Sequence, residues 1–128
     1  MILDSSAVIA ILMQEPQFEG LLEKLRADPT PAIGAPTAVE CSLVLSSRLG
    51  TDARGILARF FSESGITIIP FQEGHYSIAV QAWLQFGKGR HPAGLNFGDC
   101  LSYAVARMTG SPLLCIGSDF SRTDLPLA

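Results

Sequence analysis

Four acids in this chain, Asp4, Glu40, Asp99 and Asp119, have the residue type and the placement to do chemistry together. Asp4 closes the short apolar run 1–3, and an acid ending a buried strand is costly unless it is paired or coordinating. Glu40 follows Pro36-Thr37 at the opening of a helical stretch, where Thr37…Glu40 has the spacing of a capping box. Asp99 comes three residues after Asn96, a good N-cap, and an acid in a first turn complements the helix dipole. Asp119 follows the apolar run 113–116. Two carboxylates ~4 Å apart repel by about 4 kcal/mol at an effective dielectric near 20. Acids gathered in one cleft therefore take up protons or hold a cation. An all-oxygen ligand set selects Mg²⁺ or Mn²⁺ over zinc. No Cys or His stands at metal-ligand spacing. A bound Mg²⁺ lowers the pKa of a water and stabilises charge on a phosphodiester, so the chemistry expected is phosphodiester hydrolysis with a metal-activated water.

The elements that must position these acids are legible in outline. Residues 1–3 and 113–116 read as strands, and 66–71 is the clearest strand, Ile-Thr-Ile-Ile between Gly65 and Pro70. Residues 32–35 are a weak strand candidate. Helices are expected over 7–13, from Pro16 with the stripe Phe18, Leu21, Leu22 and Leu25, from Pro36 to a stop at Gly50, over 52–63, over 73–86, and from Asn96 through 108. In that last helix Leu101, Val105 and Met108 share one face, while Asp99, Ser102, Tyr103 and Ala106 share a smaller, half-polar one. Strands alternating with helix pairs predict an α/β fold, three layers α/β/α, with a central parallel sheet of four or five strands. In such sheets sites form beyond the carboxyl ends of the strands. All four acids fall there.

Composition narrows the class. At 128 residues the chain reads as one domain over 1–128. Hydrophobic residues are 48% and charged residues 16%, so a generous core and some apolar surface for a dimer or partner are expected. A net charge of −3 leaves no global basic footprint, and nucleic-acid binding would need a local patch. The best patch is the Gly/Pro-rich run 87–94, read as a mobile loop carrying Lys88, Arg90 and His91 just upstream of Asp99. Arg48, Arg54 and Arg59 are further candidates. Cys41, Cys100 and Cys115 are odd in number and unclustered, as buried thiols in a reducing cytoplasm would be. No stretch reads as a signal peptide or a membrane span.

Four segments carry a family resemblance across nearly the whole chain: Ile2-Leu3-Asp4-Ser5-Ser6-Ala7, Thr37-Ala38-Val39-Glu40, Phe86-Gly87-Lys88-Gly89-Arg90-His91-Pro92-Ala93-Gly94-Leu95-Asn96-Phe97-Gly98-Asp99-Cys100, and Gly117-Ser118-Asp119-Phe120-Ser121-Arg122-Thr123-Asp124. In this order and spacing the chain resembles the PIN-domain ribonucleases, and among them the VapC-type toxins of toxin–antitoxin pairs. The resemblance implies an RNA endonuclease in which Asp4, Glu40 and Asp99 hold Mg²⁺, for which Mn²⁺ can substitute, with Asp119 as a looser fourth acid. It implies that Ser6 is the small hydroxyl residue near the metal and that Asn96 lines the site. One departure is Ser118, which stands where family members often carry a second acid. The resemblance also implies neutralisation by a VapB-type antitoxin covering the active-site groove, a homodimer, and a toxin–antitoxin hetero-oligomer. The stripe Phe18, Leu21, Leu22, Leu25 and the helix around Glu40 are the surfaces expected to meet these partners. The competing reading is a non-catalytic PIN-like interaction module. Haloacid-dehalogenase-like phosphatases would need an Asp at position 6, and response-regulator receivers a lysine after a late strand; both are missing.

Overall fold

The structure, a computed structural model, describes residues 1–128. In chain order the elements are β1 (Ile2–Leu3), α1 (Ser5–Leu12), α2 (Phe18–Ala27), β2 (Ala32–Gly34), α3 (Ala35–Leu49), α4 (Arg54–Glu63), β3 (Thr67–Ile69), α5 (Glu73–Phe86), α6 (Phe97–Thr109), β4 (Leu113–Leu114) and a 3₁₀ turn, Phe120–Arg122. The strands pair in parallel in the order β3-β2-β1-β4. The chain thus works outward from β1 to β3, then crosses back to set β4 on the other side of β1. That reversal opens a crevice at the carboxyl ends of β1 and β4, where ligands bind in open α/β sheets.

Side-chain alternation builds the three layers. Ile2, Ala32 and Leu113 face a core shared with α5 and α6, while Leu3, Ile33 and Leu114 face one shared with α1 to α4. Apolar residues on both faces explain why such short strands read as continuous runs rather than alternating ones. The expected α/β/α architecture is present with four strands. No helix is long and apolar enough to cross a membrane. Cys41 and Cys100 are buried, Cys115 is half-buried, and all three are free thiols.

Two strand candidates form as expected, one local expectation is overturned, and the structure adds detail to a loop. The weak candidate at 32–35 became β2, a central strand running straight into α3, and the clearest candidate became β3, an edge strand with Thr67 and Ile68 exposed. Strand propensity registers branched side chains, whereas sheet position is decided by what packs above and below. The Thr37…Glu40 capping box does not form. Gly34 is the N-cap of α3 and Pro36 lies in its first turn, which frees the Thr37 side chain for another partner. The 87–94 run is a loop, as expected, closed by backbone hydrogen bonds. Leu95 N donates to Phe86 O (2.9 Å), Lys88 N to Leu95 O (2.9 Å), and the amides of Arg90 and His91 to Gly87 O (2.9 and 3.1 Å).

Candidate active site

Asp4 stands where β1 passes into α1. It is 4% exposed, and its carboxylate is held by hydroxyls. Oδ2 accepts from Ser6 N (3.1 Å), which caps α1, and from Ser6 Oγ (2.6 Å). Oδ1 accepts from Ser102 Oγ, 2.7 Å away on α6. Ser6 Oγ in turn accepts from Ile116 N (3.0 Å), tying the end of β1 to the segment leaving β4. Ser6 therefore holds Asp4.

Asp99 sits in the first turn of α6, where Asn96 is the N-cap as expected and, beyond that expectation, the two residues form a reciprocal capping box. Asp99 N donates to Asn96 Oδ1 (2.9 Å), and Asn96 N donates back to Asp99 Oδ2 (3.0 Å). Asn96 thus acts through the helix cap that orients Asp99. Burial, opposed by the Asn96 amide and reinforced by the negative charges of Asp4, Asp119 and Glu40, pushes the Asp99 carboxyl up to about 6. Asp4, Asp119 and Glu40 are thus near enough to Asp99 for their charges to add to the effect of burial.

Glu40 lies in the second turn of α3, half-buried, with its carboxylate against the first turn of α6. A Cβ at Gly98 would fall 2.7 Å from Glu40 Oε2, so a side chain at position 98 would displace the Glu40 carboxylate. Asp119 is exposed at the start of the 3₁₀ turn and caps nothing with its side chain. Burial first, and then the charges of Asp4, Asp99 and Asp119, push the neighbouring Cys115 thiol up to about 11. None of the four acids forms an ion pair; the acids that do are Glu15, Asp28, Asp52, Glu63 and Asp124.

This donor set fits a hard divalent cation, being all carboxylate oxygen and without a positive charge of its own. No three His, Cys, Asp or Glu side chains are gathered closely enough to hold a metal ion by themselves. An ion bound here would take one or two of these carboxylates and keep several waters, as Mg²⁺ commonly does.

The basic candidates separate. Lys88 and Arg90 are exposed on the loop before Asp99. Arg90 is partly committed: its guanidinium stacks 4.8 Å from the Trp83 ring centre, and Nε donates to Leu84 O (3.2 Å). His91 Nδ1 accepts from Ala93 N (3.0 Å) and its ring meets Phe86 edge-on, a loop-shaping role. Arg48, Arg54 and Arg59 are neutralised by Glu15, Asp52 and Glu63 on the surface. Sequence reasoning missed Arg122, exposed just beyond Asp119 and donating from Nη1 to Pro92 O (3.1 Å), which brings a further cation beside the Lys88 loop. It also missed Thr37, Ser102 and Gly98. Their signal was spacing: Thr37 lies three residues before Glu40, Ser102 three after Asp99, each on the acid's own helical face.

Beside Glu40 runs an apolar groove of ≈ 1080 Å³ between α3, α5 and the start of α6. Val39, Leu43, Tyr76, Trp83 and Phe97 line it and are exposed, Phe97 at 80%. The stripe on α2 is different. Leu21 and Leu25 are buried in the core, with Phe18 and Leu22 half-buried beside them, so that face is spent on packing.

Residues 1–125 match the family model described as PIN domain. Ribonuclease VapC36 of Mycobacterium tuberculosis is 44% identical over 126 residues, 98% of this chain and 91% of the relative. Ribonuclease VapC of Mycolicibacterium smegmatis is 36% identical over 125 residues, 98% and 97% of the two chains. Among solved structures, Mycobacterium tuberculosis VapC20, described as a sarcin–ricin loop cleaving toxin, has a TM-score of 0.78 at 18% identity, over 99% of this chain and 97% of that one. VapBC2 of Rickettsia felis, solved with a promoter DNA fragment, has a TM-score of 0.75 at 19% identity, over 99% and 96%. At those identities the two structures share this chain's fold.

Proposed function

We propose, from the premise that this chain belongs to the PIN-domain family and within it to the VapC ribonucleases, that it is a metal-dependent endoribonuclease toxin neutralised by a VapB-type antitoxin. The observation that carries the reading is the unpaired acid cluster, whose mutual repulsion reaches Asp99 and which no cation of the chain relieves. Asp4, Asp99 and Glu40 would hold Mg²⁺ or Mn²⁺. When bound, the ion supplies Lewis-acid activation of water and neutralises charge on the scissile phosphate.

The chain's own groups do the rest. A carboxylate has about four acceptor positions, and hydroxyl and amide donors fill three on Asp4, leaving one on Oδ1. Asp4 is thus preorganised before any ligand arrives. Asp99, held by the Asn96 cap, carries the charge that most needs a counter-ion. Asp119, at the exposed rim, would orient the attacking water or complete the shell. Lys88 and Arg90, joined by Arg122, supply phosphate contacts along the rim, with His91 shaping the loop. Such contacts position the strand without reading its sequence.

The groove beside Glu40 supports an antitoxin segment laid in by apolar side chains, close enough to cover the acids. Its exposed face, with Leu43 at 67%, also supports a homodimer and a toxin–antitoxin hetero-oligomer. The free, largely buried cysteines favour the cytoplasm. The test is cleavage of labelled RNA by purified, partner-free protein with Mg²⁺ or Mn²⁺, with Asp4→Asn alongside. Metal-dependent cleavage lost in the variant is expected. Cleavage that persists in EDTA and in Asp4→Asn would refute the mechanism, and a protein that neither cuts RNA nor binds either ion would be an interaction module.

A further inference from the structure

The geometry points to Thr37 and Ser102 as positioning residues that aim the Asp4 carboxylate through a two-hydroxyl relay. The inference rests on the metal-dependent reading of the site. Ser102 Oγ lies 2.7 Å from Asp4 Oδ1, and Thr37 Oγ1 lies 3.2 Å from Ser102 Oγ. An ionised carboxylate only accepts, so the single Ser102 hydroxyl proton goes to Asp4. The contact between the two hydroxyls then has one sense: Thr37 donates to Ser102, and Ser102 donates to Asp4. Thr37 is 3% exposed, Ser102 1% and Asp4 4%. Water does not replace a missing partner there at no cost, and no buried side-chain polar atom in the chain lacks a partner.

The relay links the three places that supply the acids. Asp4 lies between β1 and α1, Thr37 sits one turn before Glu40 on α3, and Ser102 sits one turn after Asp99 on α6. Two hydrogen bonds spanning 65 and 98 residues therefore set one acid against the helices bearing the other two. Without them, Asp4 Oδ1 loses its only donor, and the carboxylate is held by Ser6 alone. The hydroxyls touch neither RNA nor the reacting atoms. They act through Asp4, on metal affinity and the catalytic step.

The test is calorimetric titration of Mn²⁺ into wild type, Thr37→Val, Thr37→Ser, Ser102→Ala and the Thr37→Val/Ser102→Ala double variant. Thermal unfolding in EDTA and kcat and KM on one RNA accompany it. Losing a partner behind a metal ligand typically weakens metal binding by about 10–100-fold, and Ser102→Ala is expected in that range. Thr37→Val is expected to weaken binding by less, Thr37→Ser to keep wild-type affinity, and the double variant to be no weaker than Ser102→Ala, because Thr37 has nothing left to act through. The fall should appear in kcat with KM for RNA unchanged. Wild-type Mn²⁺ affinity in both single variants, or additive losses in the double, would overturn the relay. Wild type that neither binds Mn²⁺ nor cuts RNA would overturn the metal-dependent reading instead. Should Ser102→Ala unfold, the isosteric Thr37→Val against Thr37→Ser still decides, since only the former removes the hydroxyl.

Discussion

Replacing Asp99 by asparagine should make the metal-free protein more stable at neutral pH while ending its cleavage of RNA. Burial and the charges of Asp4, Asp119 and Glu40 hold the Asp99 carboxyl at about 6 in the folded chain, against an ordinary 3.8. An acid whose folded pKa is raised binds its proton more tightly folded than unfolded. Between pH ~4 and 6 the unfolded chain has released that proton and the folded chain has not, so stability falls as pH rises through this window and stays lost above it. About two units correspond to a ceiling of ~3 kcal/mol. The carboxyl is only half-buried, and solvent screening brings the figure to about 1–2 kcal/mol. Asparagine carries no charge, and its Oδ1 can still accept from Asn96 N, so the helix cap survives. In EDTA at pH 7.5 the midpoint of thermal unfolding should rise by about 4–8 °C in Asp99→Asn, and the gain should shrink toward pH 5 as wild type takes up its proton. Mn²⁺ should reverse the order. At about 100 times its Kd a ligand adds ~2.7 kcal/mol to wild type, and little to a variant lacking a ligand. The measurement is circular dichroism melting at the two pH values with and without Mn²⁺. An Asp99→Asn protein no more stable than wild type in EDTA at pH 7.5 would refute the repulsive cluster. The functional site would then not be the strained part of the fold.

Other perturbations separate the remaining roles. Gly98→Ala puts a Cβ 2.7 Å from Glu40 Oε2, the movable end of its side chain, so cleavage should fall about tenfold or more while the fold keeps or slightly gains stability from the better helix former; unchanged cleavage would remove Glu40 from the site. Leu43→Glu places a charge in the groove on a side chain already 67% exposed, so antitoxin affinity should drop by about 100-fold or more in calorimetry with RNA cleavage retained. Lys88→Ala should weaken RNA binding alike for different sequences and reduce the slope of log affinity against log salt by about 1. An unchanged slope would place the RNA track elsewhere.

Much of the chemistry was legible because its signals are local. Asn96 and Asp99 lie three apart, and an N-cap with a first-turn acid needs no information from the rest of the chain; both formed as read. Gly50 stops α3 in the left-handed conformation a glycine permits, and α5 runs over Glu73–Phe86 as its pattern implied. Alternating strands and helices were enough for the layered α/β fold. Local pattern also misled. Thr37…Glu40 has capping-box spacing, yet the helix begins at Ala35, and the Thr37 hydroxyl goes to Ser102 instead.

The sequence by itself determined which residue types face which way along each element: acids at helix openings, small hydroxyls one turn from them, apolar stripes on α2 and α3. It did not determine which stripe is buried. Leu21 and Leu25 vanish into the core while Val39 and Leu43 line an open groove, although both pairs are aliphatic and helical. That choice belongs to the packing of helices on a twisted sheet, where one face finds a neighbour and the other does not. The same holds for the carboxylate at position 4. Its end-of-strand acid was visible in the first four residues, but one of its partners, Ser102, arrives from α6, 98 residues away, and only the folded chain brings that hydroxyl within 2.7 Å.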